Sequence, residues 1–166
     1  MIPTEIFGKI TLDEIYSFRE VKKVKSENIG KELVKKIEVL SEDEIEEKIR
    51  TIVGEPGHTE HGPLEIVDVY LCKLKINNEE DLRNAGIIIK KRGTGKKKQI
   101  TLRDIANQII KAVNNDTLDL IIIIHIAQLA DDVRDHFINL CNKLNKMYCI
   151  IDKQELARLF KAYGLI

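Results

Sequence analysis

The sequence predicts an α/β fold: a mixed central sheet flanked by helices on both faces. Three observations carry that expectation. The segment "LDLIIIIHI", residues 118–126, is apolar almost throughout, as a strand covered on both faces must be. A second apolar run, "MYCII" at 147–151, is short and bounded by polar residues. Helical stretches with apolar residues at a 3.6-residue period surround both runs, and the resulting β-α-β-α-β order requires crossovers that cover the sheet.

Taken in order, residues 11–40 read as polar helical segments, in which Leu33, Val34 and Ile37 supply one narrow apolar stripe. "SEDEIEEKIRTIVGEPG" opens on a capping box, Ser41 with Glu44, and continues with Ile45, Ile49, Ile52 and Val53 at helical spacing. Gly54, Pro56 and Gly57 end that helix. "PLEIVDVYLCKLKI" alternates imperfectly and is rich in branched residues, so it reads as a strand. "NNEED" turns the chain into a second strand, "GIIIKKR".

Thr101 and Asp104 cap a helix with Leu102, Ile105, Ala106, Ile109, Ile110 and Val113 on its inner side. A helix around 131–145 turns Val133, Phe137, Leu140, Cys141 and Leu144 inward, and Asp152 with Glu155 caps the last one. The expected strands are 64–75, 86–92, 119–126 and 147–151, in one sheet with the last two parallel. Residues 1–40 are expected to form a helical extension packed on a core domain of residues 41–166.

Composition limits the function classes. The 166 residues suit one domain able to bury about two-thirds of its unfolded surface. Basic and acidic residues number 27 each, so any site for a polyanion must be local. Charged residues at 33% with many Ile, Lys and Glu tilt the chain toward a thermophilic source. Cys72, Cys141 and Cys149 are too scattered for a disulfide framework and read as buried free thiols in a reducing cytoplasm. "MIPTEIFGKITLDE" lacks the basic start and apolar centre of a signal peptide, and the run 118–127 is too short to span a membrane. A cytoplasmic, non-membrane protein is expected.

With its elements in this order, the chain resembles the restriction-endonuclease-like fold, and within it the Mrr-type restriction nucleases, over residues 41–166. Three places carry the resemblance. "GEPGHTEHGPLEIVD" stands where the family has a glycine-rich turn leading to its metal-binding aspartate. "IIIKKRGTGKKKQITLRDIANQI" is similar to the family's lysine strand and following helix. "MYCIIDKQELARLFKAYGLI" resembles its closing strand, Ile-Asp turn and Leu-rich helix.

The resemblance implies a metal-dependent endonuclease acting on DNA, in genome defence or repair, with Mg²⁺ or Mn²⁺ as cofactor. It places Glu65 or Asp68 as the metal-binding acid and Lys91 as the catalytic lysine, with a helix-borne glutamate, Glu44 or Glu47, as a further ligand. The family has Asp, Glu or Gln two residues before that lysine. Here Ile89 stands there, a side chain that binds no metal, and a shift of register to Lys90 gives Ile88. The alternative is therefore an inactive module of the same fold that binds nucleic acid or a protein, and a third reading is a nucleotide-sensing α/β domain.

The chemistry of these residues is consistent with cleavage. Mg²⁺ binds carboxylate oxygens and keeps several waters, so two acids plus a backbone carbonyl suffice. Glu65 and Asp68, three apart on a strand, point to opposite faces and do not both serve one site without a bulge. Lys90, Lys91, Arg92, Lys96, Lys97 and Lys98 crowd a loop in which Gly93 and Gly95 permit a tight turn. Six bases without an intervening acid suit phosphate contact, and Arg103, Asn107 and Lys111 extend the track along the next helix. His58 and His61 flank Glu60 but lack a matching Cys or His pair for a transition metal, and His125 reads as a core histidine bonded to backbone. DNA is the expected partner, with a second copy of the chain left open.

Overall fold

The computed structural model describes residues 8–54 and 67–166. It is an α/β structure with a five-stranded mixed sheet in the order β1-β5-β4-β3-β2. The strands are β1 (Gly8–Lys9), β2 (Val69–Lys75), β3 (Leu82–Lys90), β4 (Leu120–His125) and β5 (Met147–Ile151). β2 runs antiparallel to β3, while β3, β4, β5 and β1 are mutually parallel. The helices are α1 (Lys31–Glu38), α2 (Glu42–Val53), α3 (Leu102–Val113), α4 (Asp131–Lys143) and α5 (Lys153–Ala162).

Alternation along the strands produces two cores. Ile87, Ile89, Ile122 and Ile124 point to one face, where Ile37 of α1, Ile45 and Ile49 of α2 and Leu156 and Phe160 of α5 pack on them. Ile88, Ile121 and Ile123 point to the other face, against Ile105 and Ile109 of α3 and Val133 and Phe137 of α4. Every residue of β4 is buried, which is why its sequence shows no polar alternation. Among the described residues, no helix is long and apolar enough to cross a membrane.

Several boundaries differ from the sequence reading, each for a local reason. Residues 11–28 form mainly 3-10 turns, because Leu12, Ile15, Phe18 and Val21 recur at every third residue, the period of that helix. All four side chains are buried, so this stretch is part of the first core. β1 has only two residues and pairs with β5 through Gly8↔Met147 and Lys9↔Tyr148, too short for any periodic signal.

The β2–β3 register shifts between Leu71 and Leu74. That irregularity turns both Cys72 and Lys73 outward, so Cys72 is an exposed thiol rather than a buried one. Cys141 and Cys149 are buried as expected, and burial pushes both thiols up to about 12. Ile110 and Leu144 are exposed, against expectation. Ile110 lies one step around α3 from the buried Ile109, and Leu144 caps α4 beyond its last helical residue.

Candidate nucleic-acid and metal site

The site forms where β3 outruns β2. The ladder between the two strands reaches Val69↔Ile87, and the Asp68 N–H donates to the Ile87 carbonyl at 2.9 Å. β3 continues to Lys90, leaving alternate N–H groups on that edge to find acceptors. Two carboxylates supply them. Ile89 N–H donates to Asp68 Oδ2 at 2.7 Å, and Lys91 N–H donates to Glu42 Oε1 at 3.1 Å. The two amides are two residues apart on an extended chain, about 7 Å. Asp68 and Glu42 thus stand side by side along one strand edge.

The electrostatics of the pair are unfavourable when both are ionised. Burial pushes the Asp68 carboxyl above its ordinary value, and the negative charge of Glu42 adds to that. The Ile89 N–H, the charge of Lys90 and a 3.4 Å hydrogen bond from Gln108 Nε2 oppose the shift. Each acid gives one oxygen to a backbone amide and retains a second. Carboxylate oxygens are donors of the kind Mg²⁺ or Mn²⁺ takes, and not the nitrogen and sulfur ligands of a zinc-type site. Among the described residues there is no group of three or more His, Cys, Asp or Glu placed to hold a metal.

The other sequence-derived candidates fall as follows. Glu65 lies outside the described residues, as do His58, Glu60 and His61. Glu44 closes the capping box: its N–H donates to Ser41 Oγ at 3.1 Å and its Oε1 accepts from Ser41 N–H at 3.3 Å. Glu47 is exposed on α2. The glutamate that α2 brings to β3 is Glu42 instead. A first-turn acid ordinarily complements the helix dipole, so Glu42 carries no distinguishing signal in the sequence. Ile89 is buried in the first core with Ile87 and Ile124, and only its amide takes part in the site. Lys90 and Lys91 are partly exposed at the strand end, and their carbonyls accept from Ile126 N–H at 3.0 Å and Ala127 N–H at 2.9 Å.

The basic loop is built, not slack. Gly93 N–H donates to the Lys98 carbonyl at 2.7 Å and Gly95 N–H to the Gln99 carbonyl at 3.0 Å. Asp104 accepts four hydrogen bonds, from the N–H and hydroxyl groups of Thr94 and of Thr101. These donors, the Thr101 N–H first, hold its carboxyl well below the usual carboxylate range. A Cβ at Gly93 would collide with the Gln99 carbonyl oxygen, the Asp104 carboxylate and Ile100 Cα, so only glycine fits there.

Lys97 and Lys98 adopt left-handed backbone, φ 54° and 64°, at a cost of roughly 1–2 kcal/mol each. Arg92, Lys96, Lys97, Lys98 and Arg103 are all exposed, and among the described residues none of them forms an ion pair. A short parallel bridge, Ile100 with Leu129, ties the end of the loop to the segment after β4.

His125 closes this end of the sheet, in register with Lys90. Its Nδ1–H donates to the Ala127 carbonyl at 2.8 Å, while the buried Nε2 has no partner among the described residues. Burial lowers its pKa below 6.5; the Ala127 carbonyl and Asp152 oppose the shift and Arg134 adds to it. The unfolded chain therefore takes up the proton first as pH falls. The stabilisation is complete above about pH 6.5 and is lost as pH drops from there toward the folded value. Thermal melts between pH 7.5 and 5 are expected to show a fall in melting temperature that His125→Asn reduces.

No known protein family, curated protein or solved structure matches the chain.

Proposed function

We propose that the chain is a metal-dependent nuclease of the restriction-endonuclease-like lineage, hydrolysing phosphodiester bonds in DNA. One observation carries the reading: Asp68 and Glu42 converge on the same end of β3 that bears Lys90, Lys91 and the basic loop. Asp68 and Glu42 would hold Mg²⁺ or Mn²⁺, which when bound polarises a phosphate and lowers the pKa of water. Asp68 is kept in place by the Ile89 amide and Gln108, and Glu42 by the Lys91 amide. Lys91 stabilises negative charge developing on the phosphate, and Lys90 lies in the field of Asp68. The exposed bases from Arg92 to Lys98, with Arg103, draw the backbone of the nucleic acid onto this edge.

Ile89 favours a second reading, a binding module of the same architecture whose lysine motif no longer serves a metal. Supercoiled plasmid incubated with Mg²⁺ or Mn²⁺ separates the two. Nicked or linear product is expected; an intact plasmid that is nonetheless retained by the protein replaces the nuclease with the binding module.

Both readings share one expectation. Changing Lys96, Lys97 and Lys98 together to Ala is expected to weaken duplex binding alike for all sequences. The slope of log affinity against log salt is expected to flatten by about 0.9 per lost phosphate contact. A titration in NaCl checks this, and an unchanged slope would reduce the loop to a solvated surface.

A further inference from the structure

We infer that the carboxyl ends of β4 and β5 form a site for the vicinal hydroxyls of a ribonucleotide, with His125 Nε2 and Asp152 Oδ2 as acceptors. The inference goes beyond the nuclease reading and does not depend on it.

The topology places a crevice there. β4 leads into α4, which packs in the second core, whereas β5 leads into α5, which packs in the first. The two connections therefore leave neighbouring parallel strands toward opposite faces of the sheet. Strand ends that part in this way leave a crevice at the carboxyl edge, where α/β sheets take up small ligands. Ile124↔Ile151 is the last pair of the β4–β5 ladder, so His125 and Asp152 come next, on strands about 4.8 Å apart.

An unmet buried acceptor points to what belongs in the crevice. His125 lies between Ile124 and Ile126, both of the first core, so its ring turns to the other face, the side of α4. The residue is only 6% exposed, and its Nδ1–H is held by the Ala127 carbonyl. That bond fixes the tautomer of the neutral ring and leaves Nε2 a bare lone pair, unpartnered among the described residues. A buried acceptor left unmet costs about 1–3 kcal/mol, which a donor from outside the chain removes.

The neighbours of the ring add to the crevice. Asp152 Oδ1 accepts the Glu155 N–H at 2.8 Å, and Oδ2 has no hydrogen bond among the described residues. α4 begins at the same edge on Ala130, an N-cap without a capping side chain. Its Asp131 and Asp132 N–H groups find no acceptor among the described residues.

The surrounding charges select the ligand. Arg134 of α4 and Asp152 lie within electrostatic reach of the ring, and Lys90 is paired with His125 across the β3–β4 ladder. Lys90 and Arg134 disfavour a cation, while Asp131, Asp132 and Asp152 disfavour an anion. A hydroxyl is neutral, donates to a bare nitrogen or a carboxylate, and accepts from helix amides. Two adjacent hydroxyls match two acceptors on neighbouring strands. The Ile100–Leu129 bridge ties the basic loop to the β4–α4 connection, so a sugar that carries a phosphate is the form this end of the molecule favours.

The protein is titrated with each of the four ribonucleoside 5′-monophosphates, followed by calorimetry and by ¹⁵N spectra of the histidine rings. At least one is expected to bind and to move the His125 Nε2 resonance while Nδ1 keeps its proton. Its 2′-deoxy form is expected to bind about tenfold more weakly, the weight of one hydrogen bond. His125→Phe keeps a buried ring without the acceptor and is expected to lose affinity by about the same factor or more. Should that variant fail to fold, Asp152→Asn decides. Its side-chain oxygen still caps Glu155, a donor replaces the free oxygen, and a similar loss is expected. An RNA with a 3′-terminal diol, beside one ending in a 3′-phosphate, tells a chain end from a free nucleotide. The inference is overturned if no ribonucleotide binds, if ribo and deoxy forms bind equally, or if binding leaves the Nε2 resonance unmoved.

Discussion

Asp68→Asn is expected to leave the protein folded with an equal or higher melting temperature and, on the nuclease reading, to abolish metal-dependent cleavage. The two effects have separate causes. The Asn side-chain oxygen still accepts the Ile89 N–H that Asp68 Oδ2 now accepts, so the strand edge keeps its hydrogen bond. What disappears is a negative charge held in a partly buried position beside Glu42, both of which raise the Asp68 pKa. With a folded pKa above 3.8, the folded protein binds the proton more readily than the unfolded chain. Ionised Asp68 therefore costs stability at neutral pH, and that cost shrinks as pH falls through the folded value.

A neutral isostere removes the cost at every pH. On the nuclease reading it also removes a charged ligand of the metal, and with it the activation of water and the neutralisation of the phosphate, which is worth orders of magnitude in rate. Plasmid nicking and thermal melts on the same preparations check both halves. Glu42→Gln is expected to behave likewise with a smaller stability change, since Glu42 is exposed. Lys91→Ala is expected to lose cleavage with binding nearly retained. Normal nicking by Asp68→Asn would show that the carboxylate only ends a strand ladder.

A residue that costs the fold and organises a charge cluster is where a sequence is hardest to read. Asp68 was visible as an acid on a strand, but not its bond to the Ile89 amide, which depends on β3 outrunning β2 by a few residues. Glu42 was hidden for the same reason. It is one of several acids in the first turn of α2, and only tertiary placement separates it from Asp43 and Glu44.

Asp104 was legible as a helix cap through the Thr101–Asp104 spacing, yet its second task, holding Thr94, joins residues ten apart through a loop with no periodicity. The sheet was easier. β4 is buried on both faces, so its composition alone reports its position. The three-residue spacing from Leu12 to Val21 was equally present in the sequence, and its 3-10 period was the available clue.

Phe137→Ala is expected to lower the melting temperature by about 10 °C and to leave the Asp68–Glu42 edge and the basic loop unaltered. Phe137 is fully buried on α4 and stands edge-on to Tyr148 of β5, with ring centroids 5.8 Å apart and planes at 75°. It packs in the second core among Val133, Cys141 and Ile121 and Ile123 of β4. Truncation loses the buried ring and leaves a cavity that the branched side chains of Ile121 and Ile123 fill poorly, since both are already held by the sheet. Phe→Ala changes of this kind cost about 3–5 kcal/mol, and each kcal/mol shifts the midpoint of a chain this size by about 2–4 °C.

The core is remote from the site in chemical terms: no hydrogen bond of Asp68, Glu42 or Asp104 runs through Phe137. Below the new midpoint, the variant is therefore expected to match the wild type in plasmid nicking and in duplex binding. Calorimetry with parallel nicking assays checks the separation. A small shift in midpoint would mean that the α3–α4 layer repacks freely, and that the second core is less tightly specified than its burial indicates.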